Sequence, residues 1–263
     1  MVEQRRGALR TAVVWDAVSA LLATTAGTTA GTAAGTTDDR PRLRVVDLGG
    51  GTGGLAVRVA ALGHVVTVVD PSPDALASLQ RRAVDDGVAE RVRGVQGDAG
   101  DLLDHVGRGE TDVVLCHGVL EVVDEPDEAL ATIREALRPG GSLSVVVAGR
   151  LAGVVTRALA GHFDQAAQLL DDDLSAAAPG GWDVRRRGPR RYTREEILAL
   201  LERHALRPGP VHAVRVFTDL VPSALVDAEP GAASALLALE RAVADRPEFS
   251  ALASQLHVVA RRD

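Results

Sequence analysis

Two carboxylates and a run of glycines are the residues of this chain whose spacing could do chemistry. In Val45-Val46-Asp47-Leu48-Gly49-Gly50-Gly51-Thr52-Gly53-Gly54 an apolar strand runs into a helix through a loop of glycines. Backbone N–H groups and a positive helix end can approach a ligand closely there, and only glycine lets the chain do so. Asp70 closes the next apolar run about 20 residues on, the distance at which a second-strand acid reaches ribose hydroxyls. A glycine turn of purely structural use would need fewer glycines. The pattern points to a nucleoside-containing ligand, without separating a nicotinamide dinucleotide from other nucleosides.

These residues need an alternating α/β chain to hold them, and the sequence has one. Short Val/Leu runs at Leu43 to Asp47, Val65 to Asp70, Arg91 to Gln96, Thr111 to Cys116 and Ser142 to Ala148 are separated by helical stretches near 54–62, 73–86, 99–106 and 127–137. That alternation predicts five parallel strands. Ser72 before Pro73 predicts an N-cap with a first-turn proline, and Pro139-Gly140-Gly141 predicts the stop of the fourth helix. Residues 3–23 read as a helix with Leu9, Val13, Ala17 and Leu21 on its apolar stripe, followed by a Thr/Ala/Gly-rich flexible loop over 24–39. Residues 150–192 read as a lid. Thr193-Arg194-Glu195-Glu196 is a capping box opening a helix to about His204. A strand near Val211 to Phe217, a helix near Ala232 to Ala244 and a strand near Gln255 to Arg261 complete a single domain over 1–263, with the cofactor core at 42–149 and the rest of the sheet at 193–263.

Composition narrows the classes. The chain has 263 residues, 46% apolar and 25% charged, which excludes disordered, collagen-like and disulfide-framework chains. Aromatics are so scarce, three Phe, two Trp and one Tyr, that base-stacking platforms are excluded. Acids outnumber bases 36 to 29, every cation is Arg, and the net charge of −7 disfavours nonspecific polyanion binding. One cysteine, Cys116, leaves no thiolate metal cage; no His/Asp spacing suggests a metal, and the expected compartment is the cytoplasm. Arg5-Arg6 with the apolar stretch behind them superficially look like an export signal, but Asp16 interrupts that stretch. No apolar run reaches the ~18 to 20 residues that span a bilayer.

The pattern Asp-x-Gly-x-Gly-x-Gly from Asp47, Gly97-Asp98-Ala99 after the third strand run, and the lack of a second glycine-rich half together resemble class I methyltransferases. That resemblance implies a doubly wound, mostly parallel seven-stranded sheet with an antiparallel last strand, and S-adenosylmethionine as cofactor. It implies the methionine end at Asp47, Gly49 and Gly51, ribose at Asp70 and the adenine amino group at Asp98. Further segments resemble the bacterial tRNA 5-carboxymethoxyuridine methyltransferases: Gly7-Ala8-Leu9-Arg10, Leu115 to Glu121, Gly161-His162-Phe163-Asp164, Val214 to Asp219, and the ending from Leu239-Glu240 to Arg261. Val122-Val123 depart from that family, which carries an aromatic there. This likeness implies further cofactor contacts by Arg10, Gly50, Ala99 and His117.

For the acceptor the residues leave alternatives. Arg185, Arg186, Arg187, Arg190 and Arg191 crowd into seven positions and would either grip RNA phosphates or form a solvated loop. Arg215 would hold an acceptor carboxylate or pair with Asp219 or Glu240. A carboxylate acceptor is already ionised at neutral pH and needs no base; for a hydroxyl or amine, His117 or His162 would serve. Cys116 reads as a small core residue and Asp171 to Asp173 as a solvated helix end. The expected activity is methyl transfer to the carboxymethoxy group of a tRNA wobble uridine, with a small-metabolite acceptor as the alternative. A non-catalytic cofactor-binding module and a nicotinamide-dependent oxidoreductase are the further alternatives.

Overall fold

A computed structural model describes residues 2–30, 41–171 and 188–263. Seven strands form one sheet: β1 (Arg44–Leu48), β2 (Val65–Asp70), β3 (Val92–Gln96), β4 (Thr111–His117), β5 (Leu137–Ala148), β6 (Leu206–Val214) and β7 (Gln255–Arg262), in the order β3-β2-β1-β4-β5-β7-β6. The first five are parallel, and β7 runs antiparallel to both β5 and β6. The Val-rich central strands are buried on both faces, as a sheet covered by helices on each side requires. One face lies under α1 (Val2–Ala30), α2 (Gly54–Ala61) and α3 (Pro73–Asp85), with Val45, Val68, Val113 and Leu115 beneath. The other packs against α5 (Pro126–Ala136) and α8 (Arg194–Arg203) through Val46, Val114, Leu143 and Val145. Also present are α4 (Leu102–Val106), α6 (Arg150–Leu159), α7 (Phe163–Asp171), α9 (Ser223–Ala228) and α10 (Ala232–Ala244).

Strand order reverses between β1 and β4, and the crevice outside their carboxyl ends is where an open α/β sheet receives ligands. The glycine loop opens there. The local signals work as expected at two helices. Ser72 Oγ accepts from Ala75 N (3.2 Å) to start α3, and Thr193 and Glu196 close a reciprocal capping box at α8.

Several boundaries differ from the sequence reading. Helix α1 continues to Ala30, so the first part of the expected loop is helical. Thr24 and Thr25 return their hydroxyls to the carbonyls of Ala20 and Leu21, and Ala26 is buried, so packing overrides the weak helix preference of Thr and Gly. Residues 31–39 of that loop lie outside the described residues. The buried stripe of α1 is Val14, Val18, Leu22 and Ala26 with Val13, rotated one position from the expected one. Pro139-Gly140-Gly141 do not follow a helix stop but lie inside β5, which starts at Leu137, and a register shift opposite Thr111–Val113 accommodates them. β6 likewise begins at Leu206 and ends at Val214, where Arg215 (φ 59°) turns the chain. Of the expected lid, residues 150–171 form α6 and α7, and 172–187 lie outside the described residues.

The polarity of α1 follows from its neighbours. Its Thr24 and Thr25 share a cavity of about 500 Å³ with Gly140, Ser142 and Pro208, at the edge of the sheet opposite the glycine loop. Arg10, 14 residues earlier and so about 20 Å along the axis, therefore lies towards the ligand edge. Trp15 under the Arg58 guanidinium (3.7 Å) and Asp16 paired with Arg241 (2.7 Å) fasten the helix to α2 and α10.

Candidate functional site

At the end of β1 the chain turns through Gly49 and Gly51, both in the left-handed region (φ 68° and 54°), to reach α2. A side chain on Gly50 would strike the Asp47 carboxylate at 2.5 Å, so the loop wraps tightly over that acid. Asp47 is 3% exposed and its Oδ2 has no hydrogen-bond partner. Burial, reinforced by the nearby negative charge of Asp70, pushes its pKa up to about 7. An orphaned, buried carboxyl oxygen under a glycine cradle calls for a donor or cation from a ligand.

Asp70, also buried, is held rigidly: Oδ2 accepts from Gly51 N (2.8 Å) and Oδ1 from Ser72 N (2.9 Å). Each oxygen keeps a second lone pair for a hydroxyl donor. After β3, the exposed Asp98 accepts from Gly100 N through Oδ1 (2.7 Å), which fixes its rotamer, and Ala99 is buried behind it. These groups end β1, β2 and β3, so the sheet brings Asp47, Gly49, Gly50, Gly51, Asp70, Asp98 and Ala99 to one edge.

His117 is the last residue of β4 rather than a residue beyond it, on the same face of the sheet as Asp47. Its Nε2 lies 2.8 Å from Ser144 Oγ, and burial lowers its pKa to about 4, so it is neutral at physiological pH. Cys116 points to the opposite face, fully buried, its thiol pushed up to about 12, which makes it an inert core residue. His162 is exposed at the α6–α7 turn.

The arginines expected to face a substrate do not behave as one cluster. Arg185, Arg186 and Arg187 lie outside the described residues. Arg190 corrects the RNA-gripping expectation: it is 6% exposed, and its guanidinium donates to the carbonyls of Val123 and Asp124 (2.6 Å to the latter). It stabilises the loop after β4. Arg191 is half-buried, lies across Gly153 and donates to Gly149 O (3.3 Å). Arg215 pairs with Asp219 (2.6 Å), as its structural alternative required. Glu240 instead is buried and accepts from Val216 N, Phe217 N and Thr218 N.

Sequence reasoning missed three residues behind His117. Ser144 on β5, His257 on β7 and His212 on β6 continue from it across the sheet. Their signal was present: each interrupts an apolar strand with a polar side chain, as in Leu256-His257-Val258.

Residues 46–143 match the sequence family described as a methyltransferase domain. That match covers the part of the chain from β1 to the middle of β5, the glycine loop included. It is 31% identical over 159 residues to the tRNA 5-carboxymethoxyuridine methyltransferase of Escherichia coli (strain K12), covering 60% of this chain and 56% of that relative. It is 37% identical over 108 residues to the ubiquinone biosynthesis O-methyltransferase of Caulobacter sp. (strain K31), covering 41% and 42%. The matched stretch thus spans about half of each curated relative. Among solved structures, an S-adenosylmethionine-dependent methyltransferase from Mesorhizobium loti superposes with a TM-score of 0.52 at 20% identity, covering 84% of this chain and 91% of that one. Geranyl diphosphate methyltransferase in complex with S-adenosylmethionine gives 0.54 at 19% identity, covering 85% and 78%. The [4+2]-cyclase SpnF gives 0.55 at 21% identity, covering 84% and 75%. The chain shares the α/β fold of these three solved structures.

Proposed function

We propose that this protein is an S-adenosylmethionine-dependent methyltransferase. One observation carries the reading: the buried, unpartnered Asp47 Oδ2 under the Gly49–Gly51 loop, with Asp70 beside it. Asp47 and the glycine-loop amides would hold the methionine end, Asp70 the ribose hydroxyls, and Asp98 with Ala99 the adenine. Arg10, carried towards that edge by α1, would meet the methionine carboxylate. His117 would complete the pocket wall. The cofactor supplies a methyl group on a positively charged sulfur, an electrophile that needs no activation by the protein. What remains to the chain is to align the acceptor in line with that methyl and to exclude water.

Two acceptor classes have support from different sides. The likeness to the tRNA 5-carboxymethoxyuridine methyltransferase supports a carboxymethoxy carboxylate on a tRNA wobble uridine. The likeness to ubiquinone biosynthesis O-methyltransferases, and the commitment of Arg190 and Arg191 to backbone carbonyls, support a small-molecule acceptor. Incubating the protein with methyl-labelled S-adenosylmethionine and, separately, total tRNA or a small-metabolite extract of its own source separates them. Label in tRNA that mild alkali removes means a methyl ester on RNA; label in the small-metabolite fraction means the second class; label in neither fraction rejects methyl transfer. Asp70→Ala should abolish cofactor binding in both cases.

A further inference from the structure

A single line of hydrogen-bonding groups leaves the candidate site and ends in water. His117 Nε2 lies 2.8 Å from Ser144 Oγ, Ser144 Oγ lies 2.9 Å from His257 Nε2, and His257 Nδ1 lies 3.0 Å from His212 Nδ1. His212 Nε2 then lies 3.3 Å from Asp245 Oδ1, and the Asp245 side chain is 80% exposed. Ser144 and His257 are fully buried, so no solvent competes within the line. The groups come from four different elements, β4, β5, β7 and β6, with Asp245 just past α10.

The chemistry of the ends sets the direction of every bond. Asp245 faces His212 Nε2 at ion-pair distance and a carboxylate only accepts, which favours the tautomer with the proton on Nε2 and the lone pair on Nδ1. His257 must then donate from Nδ1 and accept at Nε2. Ser144 donates its hydroxyl proton to His257 and accepts from His117 Nε2–H. In this order His117 Nδ1 is left as an unprotonated nitrogen at the ligand edge of the sheet. Burial, which holds His117 and His257 well below the ordinary histidine range, keeps both rings neutral.

We propose that this line is a proton exit from the site, and that the methyl acceptor is a hydroxyl or amine that gives up a proton on methylation. The inference rests on the methyl-transfer reading and chooses between its two acceptor classes. The acceptor oxygen or nitrogen forms its bond to the methyl carbon as the sulfur–methyl bond breaks, and the acceptor's proton goes to His117 Nδ1. The Nε2 proton of His117 passes to Ser144 Oγ, the Ser144 proton to His257 Nε2, the His257 Nδ1 proton to His212 Nδ1, and the His212 Nε2 proton to Asp245 and on to water. One proton enters and one leaves, and all three imidazoles end neutral. This resolves a difficulty in using His117 as a base: alone it holds a proton too weakly to take one, whereas here it never has to become an imidazolium. A carboxylate acceptor would release no proton and would need no such line.

The test has two parts. In the full-length protein with ¹⁵N-labelled histidines, long-range ¹H–¹⁵N correlation at neutral pH should report His117 and His212 protonated at Nε2 and His257 at Nδ1. A His117 protonated at Nδ1 overturns the proposal. Ser144→Ala, which removes one atom from the middle of the line, should lower methyl transfer from labelled S-adenosylmethionine into the small-metabolite fraction about 100-fold, the scale of a lost general base. Its affinity for S-adenosylhomocysteine, read by calorimetry, should stay unchanged, and Ser144→Thr, which keeps the hydroxyl, should restore most of the rate. An unchanged rate in a folded Ser144→Ala variant overturns the relay, and transfer found only as an alkali-labile ester on tRNA overturns the acceptor class. Absence of any transfer by the unaltered protein instead rejects the methyl-transfer reading, while the spectrum still judges the proton order by itself.

Discussion

Asp47 has a cost that its position makes measurable. Its carboxyl titrates near 7 in the folded chain against 3.8 for the free group, so folding holds a proton that the unfolded chain has already released between those values. The resulting penalty is absent at pH values well below 4, grows as pH rises towards 7 and is fully present above it, on the order of 4 kcal/mol for a shift of this size. Asp47→Asn removes the titration. The stability difference between variant and parent, from urea unfolding without ligand, should therefore move in the variant's favour by several kcal/mol between pH 4 and pH 8. A difference that does not change with pH would mean the carboxyl is not protonated when buried. The same variant should lose S-adenosylmethionine binding at every pH. In the parent, cofactor binding should release a proton below pH 7, because a fixed cation beside Asp47 favours its ionised form; calorimetry in buffers of different ionisation enthalpy reads that proton. Asp47, Asp70 and Asp98 were legible in the sequence because glycines and strand ends mark them. The pairing of His117 with the polar residues Ser144, His212 and His257 was not, since these lie 27, 95 and 140 residues from it in the chain and only strand register brings them together.

At the level of elements, two segments expected to act at the surface are held by the fold. Arg190 bonds the carbonyls of Val123 and Asp124, and the Tyr192 hydroxyl donates to Leu120 O (2.9 Å), so the segment entering α8 pins the loop that follows β4. Arg190→Ala leaves those carbonyls without their charged donor and should cost about 2 to 3 kcal/mol, seen as a lowered Tm. Arg190→Lys should not restore it, because an ammonium cannot span both carbonyls as the guanidinium fork does. A variant that keeps its Tm and loses only RNA binding would return Arg190 to the surface. Thr193→Ala, which breaks the capping box of α8, should cost about 1 kcal/mol by the same measurement. The capping box was readable because its four residues are consecutive. Burial of Arg190 was not, since neighbouring arginines in a Gly- and Pro-rich stretch carry no sign of which one turns inward. The extension of α1 escaped for a related reason: Thr24 and Gly27 signal a loop, and only contact with the sheet makes Ala26 core.

Over the whole molecule, α1 ties the two ends of the sheet together and charge decides what can approach. The helix packs against β6 and α10, clamped by Trp15–Arg58 and Asp16–Arg241, and its length would carry Arg10 towards the ligand edge from a cavity at the opposite one. Arg10 is exposed, so Arg10→Ala should leave Tm unchanged while weakening S-adenosylmethionine binding about 10-fold or more, the loss of one charge-assisted contact to a carboxylate. Equal affinity would detach α1 from the site. The acceptor answers to the same field. A net charge of −7 repels a polyanion, and two of the five clustered arginines, Arg190 and Arg191, are turned towards backbone carbonyls. An RNA partner would need several phosphate contacts to overcome that repulsion, each adding about 0.7 to 0.9 to the slope of log K against log salt. If the proton line from His117 serves a small acceptor, tRNA should bind weakly, with a slope shallower than 3, and the binding should vanish at physiological salt. Fluorescence anisotropy with total tRNA over a salt series reads this directly. Tight binding with a steep slope would return the arginines to RNA and would make the carboxymethoxy carboxylate the better acceptor.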